Sequence, residues 1–281
     1  MYDEQYETVA SKIDARIRRD LIRKVFTTVC YQLLATASIV AATVYLIPAV
    51  LVARNLNLMM TFAGGAWGVL WLLFTCCPSL SRNQPSGNIL LGVVTLIQSL
   101  LLSGIVFAEV VGGWRGVPQV YGWPPSLSAY DIGSRLSGGS GHARVLMVLV
   151  GTIAAVIGAT GAAHGMRHAP FRWYHALMVG SLCFTLLGLL KIIFLREHVA
   201  WIAIVEAGLA GILFCAYLVF DVWRLLKKGT PDVDNHVFLT MAIYMDIIYL
   251  FIELLRMLAE ISAAAEDKER NRKNRSRGRR Y

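Results

Sequence analysis

Residues 213–255, LFCAYLVFDVWRLLKKGTPDVDNHVFLTMAIYMDIIYLFIELL, decide the fold. They hold two apolar runs joined by a polar turn, KKGTPDVDN, and each run carries an aspartate in apolar company, Asp221 and Asp246. The runs, about 200–223 and 236–260, reach the roughly 20 apolar residues that a helix needs to cross a hydrocarbon core about 30 Å thick. Comparable runs lie at about 26–50, 57–77, 88–110, 144–163 and 174–194. Composition agrees: 56 % of residues are hydrophobic and 16 % charged, against about 25 % charged in soluble domains, and mean hydropathy is +0.56. A water-soluble fold is excluded. The expected fold is an all-α, polytopic membrane bundle of six or seven transmembrane helices. The chain divides into a cytosolic N-terminal segment with an amphipathic entry helix (1–25), the bundle (26–262) and a basic disordered tail (263–281).

The segment before the first span, KIDARIRRDLIRK at 12–24, sets Ile13, Ile17, Leu21 and Ile22 against Arg16, Arg18, Arg19, Arg23 and Lys24 at helical spacing. That is the pattern of an interfacial amphipathic helix. The run after it is too long for a signal peptide's apolar core and reads as a retained span. Over the body of the chain, Lys and Arg favour a cytosolic N-terminus by roughly two to one. Seven spans would then export the basic tail, Lys268 to Arg280. Re-entry of the segment 241–257, which holds Asp246, Glu253 and Arg256, would keep the tail cytosolic. The count of six or seven stays open. The net charge of +9 gathers at membrane borders and in the tail, as expected for contact with anionic lipid, and not as a nucleic-acid surface.

The five cysteines (Cys30, Cys76, Cys77, Cys183, Cys215) fall in or beside apolar runs, without the spacing of a disulfide framework or zinc site. No cofactor is implied. A Gly-, Pro- and Ser-rich stretch from Gly112 to Gly141 is longer than most inter-helix connections. Gly64 with Gly68, and Gly161 with Gly165, form small-xxx-small patterns that permit close helix approach.

Ionisable groups within a span are costly and need a partner or a purpose. Consecutive antiparallel helices can bring Asp221 and Asp246 into one layer. Two carboxylates in low dielectric do not both ionise cheaply, so one proton is held between them. Full ionisation drives the helices apart and presents oxygens suited to a hard cation such as Ca²⁺, bound transiently. The alternative for Asp221 is a helix-end residue beside Arg224. Glu253, seven residues after Asp246, shares its face, and Arg256 at i+3 can pair with it as a structural ion pair. Glu206 and Glu109 lie near the non-cytosolic ends of their spans, as pore-mouth acids or, the commoner case, as solvated helix ends.

At these residues the sequence resembles the transmembrane Bax inhibitor motif family, and its Lifeguard-like branch most closely. The similarity runs through RRDLIRKVFTTVCYQLLATASIVAATVYL (18–46), FTCCPSLSRNQPSGNILLGVVTLIQS (74–99), FCAYLVFDVWRLL (214–226) and HVFLTMAIYMDIIYLFIELLRML (236–258). The family's Tyr-Asp-Thr-Gln and Tyr-Leu-Asp-Ile-Ile-Asn-Leu-Phe elements correspond to Phe220-Asp221-Val222-Trp223 and Tyr244-Met245-Asp246-Ile247-Ile248-Tyr249-Leu250-Phe251. The resemblance implies that Asp221 and Asp246 act as a paired-aspartate pH sensor gating a passive Ca²⁺ leak, with Arg82 as a basic latch to the pair. It also implies an endomembrane location, ER or Golgi, and a cytoprotective role with cell-death regulators as partners. The sequence departs from the pattern at Val222, Trp223 and Tyr249, and has Gln98 where many relatives have Glu.

Two other readings compete. A membrane scaffold that binds cell-death regulators without conducting ions would depend on loops and tails. An intramembrane aspartyl protease also uses one aspartate on each of two neighbouring spans, but needs Gly-x-Gly-Asp where this chain has Ile243-Tyr244-Met245-Asp246. The expectation is therefore a channel and not an enzyme. Whether acid opens or closes the path is not set by the spacing.

Overall fold

The computed structural model describes residues 2–76, 86–112, 140–166, 177, 179–181, 200–227 and 236–278. Six long helices carry almost all of them: α1 (Tyr2–Tyr45), α2 (Ala49–Cys76), α3 (Ser86–Gly112), α4 (Ser140–Gly165), α5 (Ala200–Lys227) and α6 (His236–Gly278). Five include segments long and apolar enough to cross a membrane: Arg19–Tyr45, Ser86–Val110, Gly141–Gly165, Ile202–Leu226 and His236–Glu266. This is a multi-pass helical membrane protein. Many large apolar side chains, among them Leu146, Met147, Val150, Ile153 and Ile157 on α4, point out of the bundle, where lipid is as apolar as they are.

The entry helix and the first span are one helix. With no Gly or Pro between Lys12 and Ile47 nothing breaks it, so α1 runs for 44 residues, about 66 Å. Pro48 ends it, having no N–H to donate, and its carbonyl accepts from Leu51 N at 2.8 Å as α2 begins. The second helix therefore starts at Ala49, ahead of the apolar run expected from about 57. Asn55 is tolerated in its first turns because its side-chain amide donates to Leu51 O at 2.9 Å.

Two apolar clusters fix the register of the bundle. One gathers Leu21, Val25 and Val29 of α1, Ala159 and Ala163 of α4, Leu218, Val222 and Leu225 of α5, and Ile243 and Ile247 of α6. The N-terminal half of α1, the C-terminal ends of α4 and α5 and the first turns of α6 thus share one end of the molecule. At the other end Val44, Val110, Val148 and Leu255 belong to the second cluster. Helices α1 and α6 run parallel, and α5 runs antiparallel to α6. The ends Gly165 and Ala200 lie on opposite sides, and between them the run at 177–181 packs along α5, where Tyr217 Oη donates to Leu177 O at 2.9 Å. Among the described residues, α6 begins at the end of the bundle where α1 begins, and five helices are long and apolar enough to cross a membrane. Re-entry of 241–257 does not occur: α6 is continuous through Asp246, Glu253 and Arg256.

The helix also continues past 263, where a disordered tail was expected, to Gly278. Ala263, Ala264 and Ala265 favour helix, and Glu266 with Arg270 and Glu269 with Lys273 stand at i,i+4 in the favourable order. Among the described residues the small-residue patterns mark no close helix contact. A Cβ built on Gly64, Gly68, Gly161 or Gly165 would meet nothing within 4 Å. The close approaches are at Gly104, whose Cβ would lie 2.5 Å from Met60 Sδ, and at Gly141, whose Cβ would lie 2.7 Å from Val110 Cα.

Candidate functional site

Helices α5 and α6 form the most extensive helix pair in the structure, and their antiparallel course brings side chains from residues far apart in sequence into layers along one seam. Nearest the KKGTPDVDN turn, the carboxyl groups of Asp221 and Asp246 lie within hydrogen-bonding reach of each other, with Arg224 acting electrostatically on Asp221. Asp246 Oδ2 is buried and has no donor in reach among the described residues. A proton shared with the Asp221 carboxyl would supply one. The two aspartates differ in their distance from the turn by about one helical turn, and the antiparallel helices absorb this difference.

One layer further, the rings of Phe214 and Tyr249 stack with centroids 5.2 Å apart at 22°, and Trp67 Nε1 of α2 donates to Tyr249 Oη at 3.1 Å. Beyond them Arg256 Nη2 stands 3.3 Å from Glu206 Oε2 on α5, and its Nη1 is 3.7 Å from Glu253 Oε2 on its own helix. The Glu253–Arg256 pair expected from i,i+3 spacing is thus the longer of two contacts, and Arg256 bridges the helices. Glu206 is no solvated helix end, since only 19 % of its side chain is exposed. Its signal in the sequence was weak, because its partner lies 50 residues away.

Glu109 also departs from the solvated-end expectation. It is fully buried at the end of α3, with Oε1 2.9 Å from Arg144 Nε of α4. Close by, Tyr45 and His142 stack at 5.6 Å. A buried polar layer unforeseen in the sequence joins α1, α3 and α6: Gln32 Nε2 donates to Thr95 Oγ1 at 2.8 Å, Ser99 Oγ to Thr36 Oγ1 at 3.0 Å, and Thr36 Oγ1 and Tyr244 Oη are 2.9 Å apart. Gln98 is buried here too, and its Oε1 has no hydrogen-bond partner. Arg82 lies outside the described residues.

Among the described residues no group of three or more His, Cys, Asp or Glu converges as a metal-binding set.

Comparison with known proteins bears on the same region. The family described as Inhibitor of apoptosis-promoting Bax1 matches residues 126–263, which include both aspartates and Arg256. Mouse protein lifeguard 4 is 25 % identical over 262 residues, covering 92 % of this chain and 93 % of that protein. The chain is thus similar to the Bax inhibitor motif family, and to its Lifeguard-like members along nearly its whole length. Other relatives of this Lifeguard-like chain span kingdoms. Arabidopsis thaliana protein LIFEGUARD 4 is 27 % identical across 85 % of the chain and 84 % of its own length. The Golgi anti-apoptotic protein of vaccinia virus strain Lister is 24 % identical across 91 % and 92 %. These alignments reach beyond the 126–263 match into α1–α3.

Proposed function

We propose that this Lifeguard-like chain is a pH-sensitive passive Ca²⁺-leak channel of an internal membrane, Golgi or ER, with a cytosolic N-terminus and an anti-apoptotic role. The observation that carries the reading is the Asp221–Asp246 pair, two carboxyl groups within hydrogen-bonding reach inside the bundle, with one buried oxygen that a shared proton would satisfy. While the proton is held, the pair ties α5 to α6. When it leaves, two like charges face each other in low dielectric, the contact turns repulsive, and four carboxylate oxygens face the seam as ligands for a hard cation. Membrane lipid is the protein's solvent, and Ca²⁺ is the cargo. The names of its relatives, lifeguard and anti-apoptotic protein, support the cytoprotective half of the reading, with cell-death regulators as the partner class.

The test is Ca²⁺ flux into dye-loaded liposomes between about pH 5 and 8, a range that spans titration of a buried acid pair. The native chain is compared with the double variant Asp221→Asn, Asp246→Asn. The native flux should vary with pH, and the variation should vanish in the double variant. A pH profile unaltered by the two substitutions would remove the dyad from gating. Absence of flux at every pH, from folded protein, would leave the scaffold reading in its place.

A further inference from the structure

The aromatic layer between the aspartate pair and the Arg256 bridge has no part in the proton chemistry above. Along α6 the order is Asp246, Tyr249, Glu253 and Arg256; along antiparallel α5 it is Asp221, Phe214 and Glu206. At about 1.5 Å per residue, Tyr249 sits about 4.5 Å along the axis from Asp246 and about 6 Å from Glu253. Its ring is held twice, by the stack on Phe214 and by the hydrogen bond from Trp67, so three helices fix one side chain. Rotating it out would break a stack and a buried hydrogen bond together. Charged groups lie on both sides of this layer, and it offers a cation only ring faces and one hydroxyl already engaged by Trp67. An ion crossing it sheds water without gaining carboxylate oxygens, which is how hydrophobic constrictions in channels resist passage.

We infer that Tyr249, pinned by Phe214 and Trp67, is the constriction of the α5–α6 seam, separating the Asp221 and Asp246 layer from the Glu206, Glu253 and Arg256 layer and limiting the entry of small hydrated cations. This rests on the leak reading for its consequence in flux. Its geometric content is tested separately, by access to the aspartate layer.

The experiment uses the full chain in liposomes, with its native cysteines replaced and Asp246→Cys as reporter. A small cationic methanethiosulfonate reagent is added from the side where α5 begins. Tyr249→Ala should speed labelling about tenfold or more, equivalent to about 1.4 kcal/mol of barrier removed. Tyr249→Phe keeps the ring and should label at close to the native rate. Phe214→Ala removes the other half of the stack and serves where Tyr249→Ala does not fold. In parallel, Tyr249→Ala is made in the chain with both aspartates intact, where Ca²⁺ flux should rise. Labelling that is as fast in the native background as in Tyr249→Ala and Phe214→Ala overturns the constriction, whatever the flux. Faster labelling in the alanine variants, with no Ca²⁺ flux from the native chain at any pH, supports the constriction and removes the leak reading. A pH-gated native flux with no change in labelling does the reverse.

Discussion

Removing the Arg144 guanidinium gives the sharpest test of the packing. Glu109 is fully buried and Arg144 about one-fifth exposed, with 2.9 Å between them. Arg144→Met keeps the aliphatic bulk and deletes the cation, so the carboxylate must lose that compensation or take up a proton. Breaking a buried pair by removing one partner costs about 3–5 kcal/mol. Protonation caps the cost: at pH 7, neutralising a glutamate of ordinary value about 4.3 takes roughly 3.7 kcal/mol. The partial exposure of Arg144 and the remaining contacts of Glu109 favour the lower end, about 3 kcal/mol. At about 2–4 °C per kcal/mol for chains approaching this size, the apparent unfolding midpoint in detergent should fall by about 6–12 °C.

The double variant Glu109→Leu, Arg144→Met removes both charges and exchanges a paired buried ion for apolar bulk, a change that is often neutral or stabilising. It should recover most of the loss, and the non-additivity measures the coupling. A single variant that melts within about 2 °C of native would show that the pair contributes nothing to stability. A double variant as unstable as the single one would show that the cost came from lost packing of the Arg144 stem rather than from a stranded carboxylate.

The same helix junction predicts a glycine contrast. Gly141→Ala places a Cβ 2.7 Å from Val110 Cα and 2.9 Å from Val110 O, backbone atoms that cannot turn aside, so α3 and α4 must part at a cost of about 1–3 kcal/mol. Gly151→Ala and Gly158→Ala on the same helix meet nothing within 4 Å and should be neutral, or stabilising by up to about 1 kcal/mol. Equal midpoints for all three would contradict the close approach. Topology follows from the parallel course of α1 and α6: single cysteines placed near Tyr2 and near Gly278 should label with a membrane-impermeant reagent from opposite faces of sealed vesicles. Labelling of both from one face would contradict that parallel course.

The sequence exposed what depends on single-helix periodicity and on the rarity of charge in apolar runs. Five of the seven expected runs fall on helices able to span a membrane, and Asp221 and Asp246 stood out because each has mainly apolar neighbours on either side. Spacing within one helix also disclosed Glu253 and Arg256. Partners on different helices stayed hidden: Glu206 for Arg256, Arg144 for Glu109, Thr36 for Tyr244. Each depends on rotations about helix axes that apolar periodicity constrains loosely when lipid and protein interior are equally apolar. The glycine patterns misled for the same reason, since a small residue every four positions marks a stripe on a helix without saying what faces it. Continuity was misjudged where charge was taken as evidence against a span. Asp246, Glu253 and Arg256 argued for re-entry of α6 only while their partners on α5 were unknown.

That last error bears on how the seam works. A helix carrying an aspartate, a glutamate and an arginine can stay in the membrane because its neighbour supplies a matching row: Asp221 for Asp246, Glu206 for Arg256. The groups that would make α6 unstable as an isolated span are the ones that bind it to α5, so the stability of the pair and the charge state of the seam are one property. On the proposed leak reading, a change of protonation at the aspartate layer would act on the helix contact itself, with no separate lever. The Arg256 bridge at the opposite end and the ring pair at Phe214 and Tyr249 tie the remainder of the seam together, so on that reading loosening one layer would open the contact without dissolving the helix pair.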